Sequence, residues 1–308
     1  MKVFLGLDAF QSVPNPIITT GSFDGVHIGH RAIINRINTL AKQSNGESLL
    51  ITFDPHPRKV LYPEAAGKDL RLITTLDEKI ELLERVGLQN LLVIHFTKEF
   101  SELSSVDFIR KILVEKLNAY KVVIGFNHQF GHNREGNFDY LYDLGQYYNF
   151  GVEEIPEQDI DNETVSSTKI RQALSSGRIQ RANAYLDHFY FIKTTLIHGN
   201  VAMNRIHFPA YRLQIDDVTK LVPPIGVYAV SIPYGNELLK GMLNVREGTS
   251  SLIPRVDVHL FSEPESLHHK LVNVCFHKRI RDELDFSSPD AMQKQLENDR
   301  QIIEDLIY

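Results

Sequence analysis

Two histidines three residues apart, His27 and His30, close the string Thr20-Gly21-Ser22-Phe23-Asp24-Gly25-Val26-His27-Ile28-Gly29-His30. Gly21, Gly25 and Gly29 allow the backbone to turn tightly and to approach a ligand. The string follows an apolar run, Ile17 to Thr20, and leads into a segment of helical periodicity. It is therefore predicted to open a helix, whose free amides and positive dipole end suit a phosphate chain. His27 and His30 would share one face of that first turn and donate hydrogen bonds to an α-phosphate as its charge shifts in the transition state. In phosphoryl-type transfer the protein mainly positions and neutralises, so no covalent nucleophile is required. A zinc site is the poorer reading, because His-x-x-His without a third nearby Cys or carboxylate ligand is incomplete.

A second cluster, Val165-Ser166-Ser167-Thr168-Lys169-Ile170-Arg171, enters a predicted helix that stops at Gly177. The hydroxyls of Ser166, Ser167 and Thr168, with the Arg171 guanidinium, suit the β- and γ-phosphates of a nucleotide. Simple N-capping would account for the same residues alone; their pairing with the first string favours the nucleotide reading.

These groups need rigid carriers. Ile17–Thr20, Leu49–Phe53, Leu91–Ile94 and Lys121–Ile124 read as buried parallel strands. Between them Ile33, Ile34, Ile37, Leu40 and Ala41, and later Ile80, Leu82, Leu83 and Val86, recur at helical spacing. Alternating strands and helices imply an α/β domain with right-handed crossovers. After a helix-like stretch from Thr168 to Leu186 the texture changes. Tyr190–Ile197, Val227–Ile232, Met242–Val245, Val256–Phe261 and Leu271–Phe276 are β-like and separated by turn material such as Pro223-Pro224-Ile225-Gly226. An antiparallel sheet or small barrel is expected there. Pro289 to Tyr308 reads as a terminal helix with Met292, Leu296, Ile302, Ile303 and Leu306 as its apolar face. The expected domains are 1–182 and 183–308.

Bulk properties narrow the class. A chain of 308 residues, 43% hydrophobic and 23% charged, suits two soluble domains. A net charge of −6 argues against a nucleic-acid coat or an anionic-membrane binder, while leaving room for a local basic cleft. The single cysteine, Cys275, excludes an internal disulfide and a Cys-based metal cage, and is most simply a buried small hydrophobe. No signal peptide or spanning run of apolar residues is evident, so a cytoplasmic location is expected.

The His-Ile-Gly-His string with the later Ser-Ser-Thr-x-x-Arg resembles the nucleotidyltransferase superfamily that shares its signature with class I aminoacyl-tRNA synthetases. More narrowly, the chain resembles the prokaryotic bifunctional riboflavin kinase/FAD synthetases. Supporting strings are Thr52-Phe53-Asp54-Pro55-His56-Pro57-Arg58 and Gly125-Phe126-Asn127-His128-Gln129-Phe130-Gly131 with Arg134 and Gly136. The resemblance implies a Rossmann-like domain followed by a riboflavin-kinase-like barrel. It implies that Gly21, Ser22, Phe23, Asp24, His27, Gly29 and His30 contact ATP, that Ser166, Ser167, Thr168 and Arg171 hold the triphosphate, and that Asn127 with Phe53, His56 and Arg58 lines the flavin side. The implied reaction is FMN plus ATP giving FAD and pyrophosphate, with Mg²⁺ neutralising the phosphates.

The second half departs from the family it resembles. Where the kinase signature has Gly-Phe-Pro-Thr-Ala-Asn, this chain has His207-Phe208-Pro209-Ala210-Tyr211-Arg212. Ala210 and Arg212 thus replace the threonine and asparagine that the family uses for Mg²⁺ and nucleotide, and neither supplies an oxygen ligand. Met203, Asn204 and Arg205 stand where the flap has its glycine and Arg-Thr pair, and Asp257 stands for the usual glutamate base, one methylene shorter. Val245-Arg246-Glu247-Gly248 also fails to reproduce the family's Asn-Ile-Gly. The expectation is a kinase domain of little or no activity. Arg205, Arg212 and Arg246 are considered as a new anion site, against the simpler reading as solvated arginines. The rival functions are a fully bifunctional enzyme and a flavin- or nucleotide-binding regulator without turnover.

Overall fold

The computed structural model describes residues 1–307 apart from 66, 127–128, 133–134, 157–158, 161–162, 199–209, 251–252 and 263–266. The chain forms two compact units, Met1–Ser166 and Ser167–Tyr308.

In the first unit the apolar runs become strands of one parallel sheet. These are β1 (Lys2–Leu5), β2 (Ile17–Thr20), β3 (Ser48–Asp54), β4 (Asn90–His95), β5 (Lys121–Gly125) and β6 (Gly151–Ile155), ordered β1-β4-β3-β2-β5-β6. The inner strands read clearly in sequence because they are buried on both faces. β1 and β6 were not anticipated. As edge strands they need no unbroken apolar run: β1 exposes Val3 and Leu5, and β6 is half-buried throughout and carries Glu153 and Glu154. From β2 the chain adds β3 and β4 on one side, then returns to place β5 and β6 on the other. The carboxyl ends of β2 and β5 therefore flank a topological switch point, where open α/β sheets bind ligands. Helices α1 (Ile28–Gln43), α2 (Pro57–Leu61), α3 (Leu76–Arg85), α4 (Lys98–Ser101), α5 (Ser105–Asp107) and α6 (Phe138–Tyr148), with a π-helical stretch Phe108–Lys116, connect the strands. Ile18, Leu49, Leu92, Ile109, Leu113 and Val122 lie in the core. A two-stranded ribbon, β7 (Asp159–Ile160) and β8 (Glu163–Thr164), precedes the second unit.

The helix-like stretch 168–186 is two helices, α7 (Ser167–Ser175) and α8 (Ile179–Leu186). Gly177 breaks it with φ +72, and an added Cβ would lie 2.6 Å from Arg279 Cδ, so this turn requires glycine. Asn183 ties α8 to the barrel by donating to Phe276 O (2.9 Å) and accepting from Tyr190 N (2.8 Å). The barrel closes in the order β10-β13-β12-β11-β14-β9, with every neighbouring pair antiparallel. Its strands are β9 (Phe191–His198), β10 (Ala210–Gln214), β11 (Gly226–Tyr234), β12 (Glu237–Ser250), β13 (Ile253–Leu260) and β14 (Leu271–Arg281). Cys275 on β14 is half-buried rather than fully enclosed.

The terminal helix is α9 (Pro289–Leu306), capped by the Ser288 hydroxyl accepting from Ala291 N. Leu296, Ile303 and the following Ile307 pack on Val227 and Met242 of the barrel. Ile302, expected on the apolar face, is 42% exposed, because the helix turns Asp299 inward instead. That fully buried carboxylate is gripped by Arg281 at 2.7 and 2.9 Å. No helix among the described residues is long and apolar enough to cross a membrane.

Candidate functional site

The loop after β2 is fixed from several sides. Gly21 N donates to Ile51 O (3.0 Å), and Thr52 Oγ1 on β3 donates to Ser22 O (3.2 Å). Phe23 and Val26 both adopt left-handed backbone, with φ 46 and 42. For a β-branched residue this is a true outlier, of the kind that persists only where surroundings over-determine it. Asp24 supplies that constraint. Its buried carboxylate accepts from Ile73 N (3.1 Å), Thr74 N (2.9 Å) and Thr74 Oγ1 (3.1 Å), and Thr74 Oγ1 accepts from Gly25 N (3.0 Å). Asp24, expected at the nucleotide, thus braces the loop that would hold it.

The loop delivers the chain to α1 with His27 at the N-cap in extended conformation and no side-chain cap on the helix. The first-turn amides of α1 are left to face a ligand, as an uncapped helix start at a switch point would be. Beside them three rings stack: Phe23 on His30 (centroids 4.4 Å, interplanar 23°) and His30 on His27 (3.6 Å, 19°). Gly29 makes this possible, since a Cβ there would stand 3.3 Å from the His27 ring. His30 Nδ1 is buried and has no hydrogen-bond partner among the described residues. Burial first, then the neighbouring His27 and Lys79, holds the His30 imidazole well below its ordinary pKa. A neutral, desolvated imidazole with an unfilled nitrogen is a group awaiting a ligand.

Lys79 was not singled out from sequence. It lies on α3, which a capping box of Thr75 and Glu78 fixes at its start, and it is 6% exposed. Its spacing carried a signal: Lys79 begins the row that Leu82, Leu83 and Val86 continue at +3, +4 and +7, so it had to face inward.

The expected flavin-side residues are separated in role. Phe53 is half-buried and packs against Phe96 (5.5 Å) and Phe100 (5.9 Å). His56 is buried and caps α2, its Nδ1 accepting from Arg58 N (3.2 Å), while the Arg58 side chain is exposed. Asn127, His128 and Arg134 lie outside the described residues. Ser167, Thr168 and Arg171 occupy the first turn of α7 just after Ser166; Thr168 is exposed and Ile170 turns into the core.

In the barrel, Arg212 and Asp257 are cross-strand partners of β10 and β13, and Asn244 of β12 faces Asp257 from the other side. Arg212 Nε donates to Asp257 Oδ1 (3.2 Å) and Arg255 Nε to Oδ2 (2.6 Å), so both carboxylate oxygens are occupied by guanidiniums. Arg246 pairs with Glu283 (2.6 Å). Arg212 and Arg246 are therefore not simply solvated arginines: each, about a third exposed, already pairs with a carboxylate. Ala210 opens β10, and 203–205 and 207–209 lie outside the described residues. Asn244, Arg246, His259, Arg281, Glu283 and Met292 line a small, partly open pocket between barrel and α9. His259 is buried, and desolvation lowers its pKa to about 4.

A parallel α/β unit with an uncapped helix start and paired histidines at its switch point, followed by a closed antiparallel barrel and a terminal helix, defines a two-part nucleotidyltransferase. Residues 10–169 match the FAD synthetase family and residues 186–307 the riboflavin kinase family. The chain belongs to the bifunctional riboflavin kinase/FMN adenylyltransferase family. Relatives of that description are 32% identical in Buchnera aphidicola (98% of each chain), 31% in Listeria monocytogenes (93% of this chain, 91% of the relative) and 32% in Bacillus subtilis (92% and 90%). A crystal structure described as a macrolide-efflux protein from Streptococcus pneumoniae superposes with TM-score 0.87 at 25% identity over 99% of each chain.

Proposed function

We propose that the chain transfers the adenylyl group of ATP to FMN. An FMN phosphate oxygen attacks the α-phosphorus, the bond to the bridging α–β oxygen breaks, and pyrophosphate leaves with FAD as product. The observation that carries this reading is His30: a buried imidazole nitrogen without a partner among the described residues, stacked on His27 at an uncapped helix start beside the switch point. His27 and His30 would donate to the α-phosphate as charge moves onto the leaving oxygens, and the first-turn amides of α1 would hold the chain. Gly21, Ser22, Phe23 and Gly29 shape that approach, and Asp24 keeps it rigid. Ser166, Ser167, Thr168 and Arg171 would hold the β- and γ-phosphates, and 1–182 would be the first functional domain. Asn127, His56 and Arg58 would meet the flavin phosphate side.

Mg²⁺ would enter with ATP and neutralise phosphate charge. Such a metal takes most of its ligands from phosphates and water, so the site's chemistry fits it without a protein cage. The partners are small molecules, and a cytoplasmic location fits their use.

For the barrel we propose weak or absent riboflavin kinase activity. Asp257, the carboxylate expected to act as base, is held by Arg212 and Arg255 on both oxygens. Each oxygen is already turned to a guanidinium and would have to be shared with a substrate hydroxyl. The second reading, full bifunctionality, draws on the relatives' names and on the carboxylate retained at position 257. Pyrophosphate release and chromatographic FAD formation from FMN and Mg·ATP test the main reading: stoichiometric products support it, and no FAD from purified protein refutes it.

A further inference from the structure

A buried cation stands behind the nucleotide loop with most of its donors unspent. Lys79 Nζ donates one hydrogen bond, to Thr52 Oγ1 (3.4 Å), and that hydroxyl donates to Ser22 O (3.2 Å). Among the described residues its ammonium makes no other hydrogen bond and no ion pair. A lysine 6% exposed costs several kcal/mol to desolvate unless something repays it, so an apolar residue would serve packing better. Burial lowers its pKa, while Asp24 and Asp54 act in the opposite sense and keep the charge supported. The Asp24 carboxylate is already committed to Ile73 and Thr74, and Asp54 is exposed, so neither neutralises Lys79 by contact.

We propose that Lys79 is a positioning residue of the transfer site: through Thr52 it fixes the Ser22 carbonyl behind the loop, and it places a buried positive charge behind the histidines that this loop delivers. The charged groups around His30 support this. Of these, His27 from the loop and Lys79 from α3 act on His30, and Asp24 and Asp54 act on Lys79 in turn. Lys79 and His27 both disfavour a proton on His30. A polyanion bound at the helix start would reverse that balance, so the site would take up a proton only when loaded.

The inference rests on the adenylyl-transfer reading for the identity of the polyanion, yet its decisive readout requires no turnover. In the full chain without nucleotide, the His30 ring proton resonance is titrated in wild type, Lys79→Gln and Thr52→Val. Lys79→Gln is expected to move the His30 titration to higher pH and to lower kcat/KM for ATP by on the order of tenfold to a hundredfold. Thr52→Val breaks the link but keeps the charge; it should leave the titration in place and still lower kcat/KM. A His30 titration unmoved in Lys79→Gln overturns the electrostatic role, and a wild-type kcat/KM in Thr52→Val overturns the link. If wild type forms no FAD at all, the function fails while the Lys79–His30 coupling is still decided by the titration.

Discussion

The two halves of the molecule differ in how they hold the side chains expected to do chemistry. At the mouth of the α/β sheet, His30 keeps a buried nitrogen unfilled beside bare helix amides, and a strained loop is held open by Asp24. In the barrel, arginines hold Asp257 and Asp299 and Arg246 is ion-paired with Glu283, while Asn244 Oδ1, opposite Asp257, has no hydrogen-bond partner among the described residues. Unfilled polar groups are costly in an empty protein and are repaid by a ligand; satisfied ones stabilise the fold and resist a ligand. The contrast predicts that changes in the first region cost activity with little loss of stability, and changes in the second do the reverse.

The largest effect is expected at His30. His30→Ala should lower adenylyl transfer by about 100- to 1,000-fold or more, while stability falls only by what its stack on Phe23 and His27 contributes, about 1–2 kcal/mol, since the deleted nitrogen had no partner. A large drop in melting temperature would break the contrast. Arg281→Met should do the opposite. It strands the fully buried Asp299, with Gln295 Nε2 (2.9 Å) its remaining donor, and should destabilise the barrel by about 3 kcal/mol. Denaturant unfolding of this variant, set beside its FAD synthesis rate, separates the two effects.

Acid should find the barrel through His259. Its folded pKa of about 4 lies below the ordinary imidazole value of 6.5, so the unfolded chain binds a proton more readily between those limits. Its stabilising contribution is full above 6.5 and is lost as pH falls towards 4, by about 3 kcal/mol in all. His259→Asn should flatten that part of the stability–pH profile. The smallest effect is expected for Asp257→Ala. Arg212 and Arg255 are both about a third exposed and can turn to water, so the loss should be about 1 kcal/mol, with adenylyl transfer unchanged.

Much of this was legible in sequence, for physical reasons that differ by element. β2 to β5 announced themselves because strands buried on both faces must be apolar, whereas the edge strands β1 and β6 had no such requirement. Gly177 marked a stop, but the second helix beyond it shows only once the turn is seen to pack on Arg279. His27 and His30 could be placed on one helical face by spacing; their stacking through Phe23 depends on a left-handed backbone that no local pattern reveals. Asp24 was expected at the nucleotide because its partners, Ile73 and Thr74, are far away in sequence. The departures at Ala210, Arg212 and Asp257 were visible singly, but that Arg212 directly grips Asp257 is a consequence of barrel register.

The central claim is that His27 and His30 are prepared for a nucleotide while Asp257 is engaged by arginines. It is tested most directly by incubating the protein with Mg·ATP and either FMN or riboflavin, and resolving the flavins by chromatography. The account predicts FAD from FMN, and neither FMN nor FAD from riboflavin. Phosphorylation of riboflavin at a rate comparable to FAD synthesis would contradict it, by showing that Asp257 leaves its arginines and works as a base.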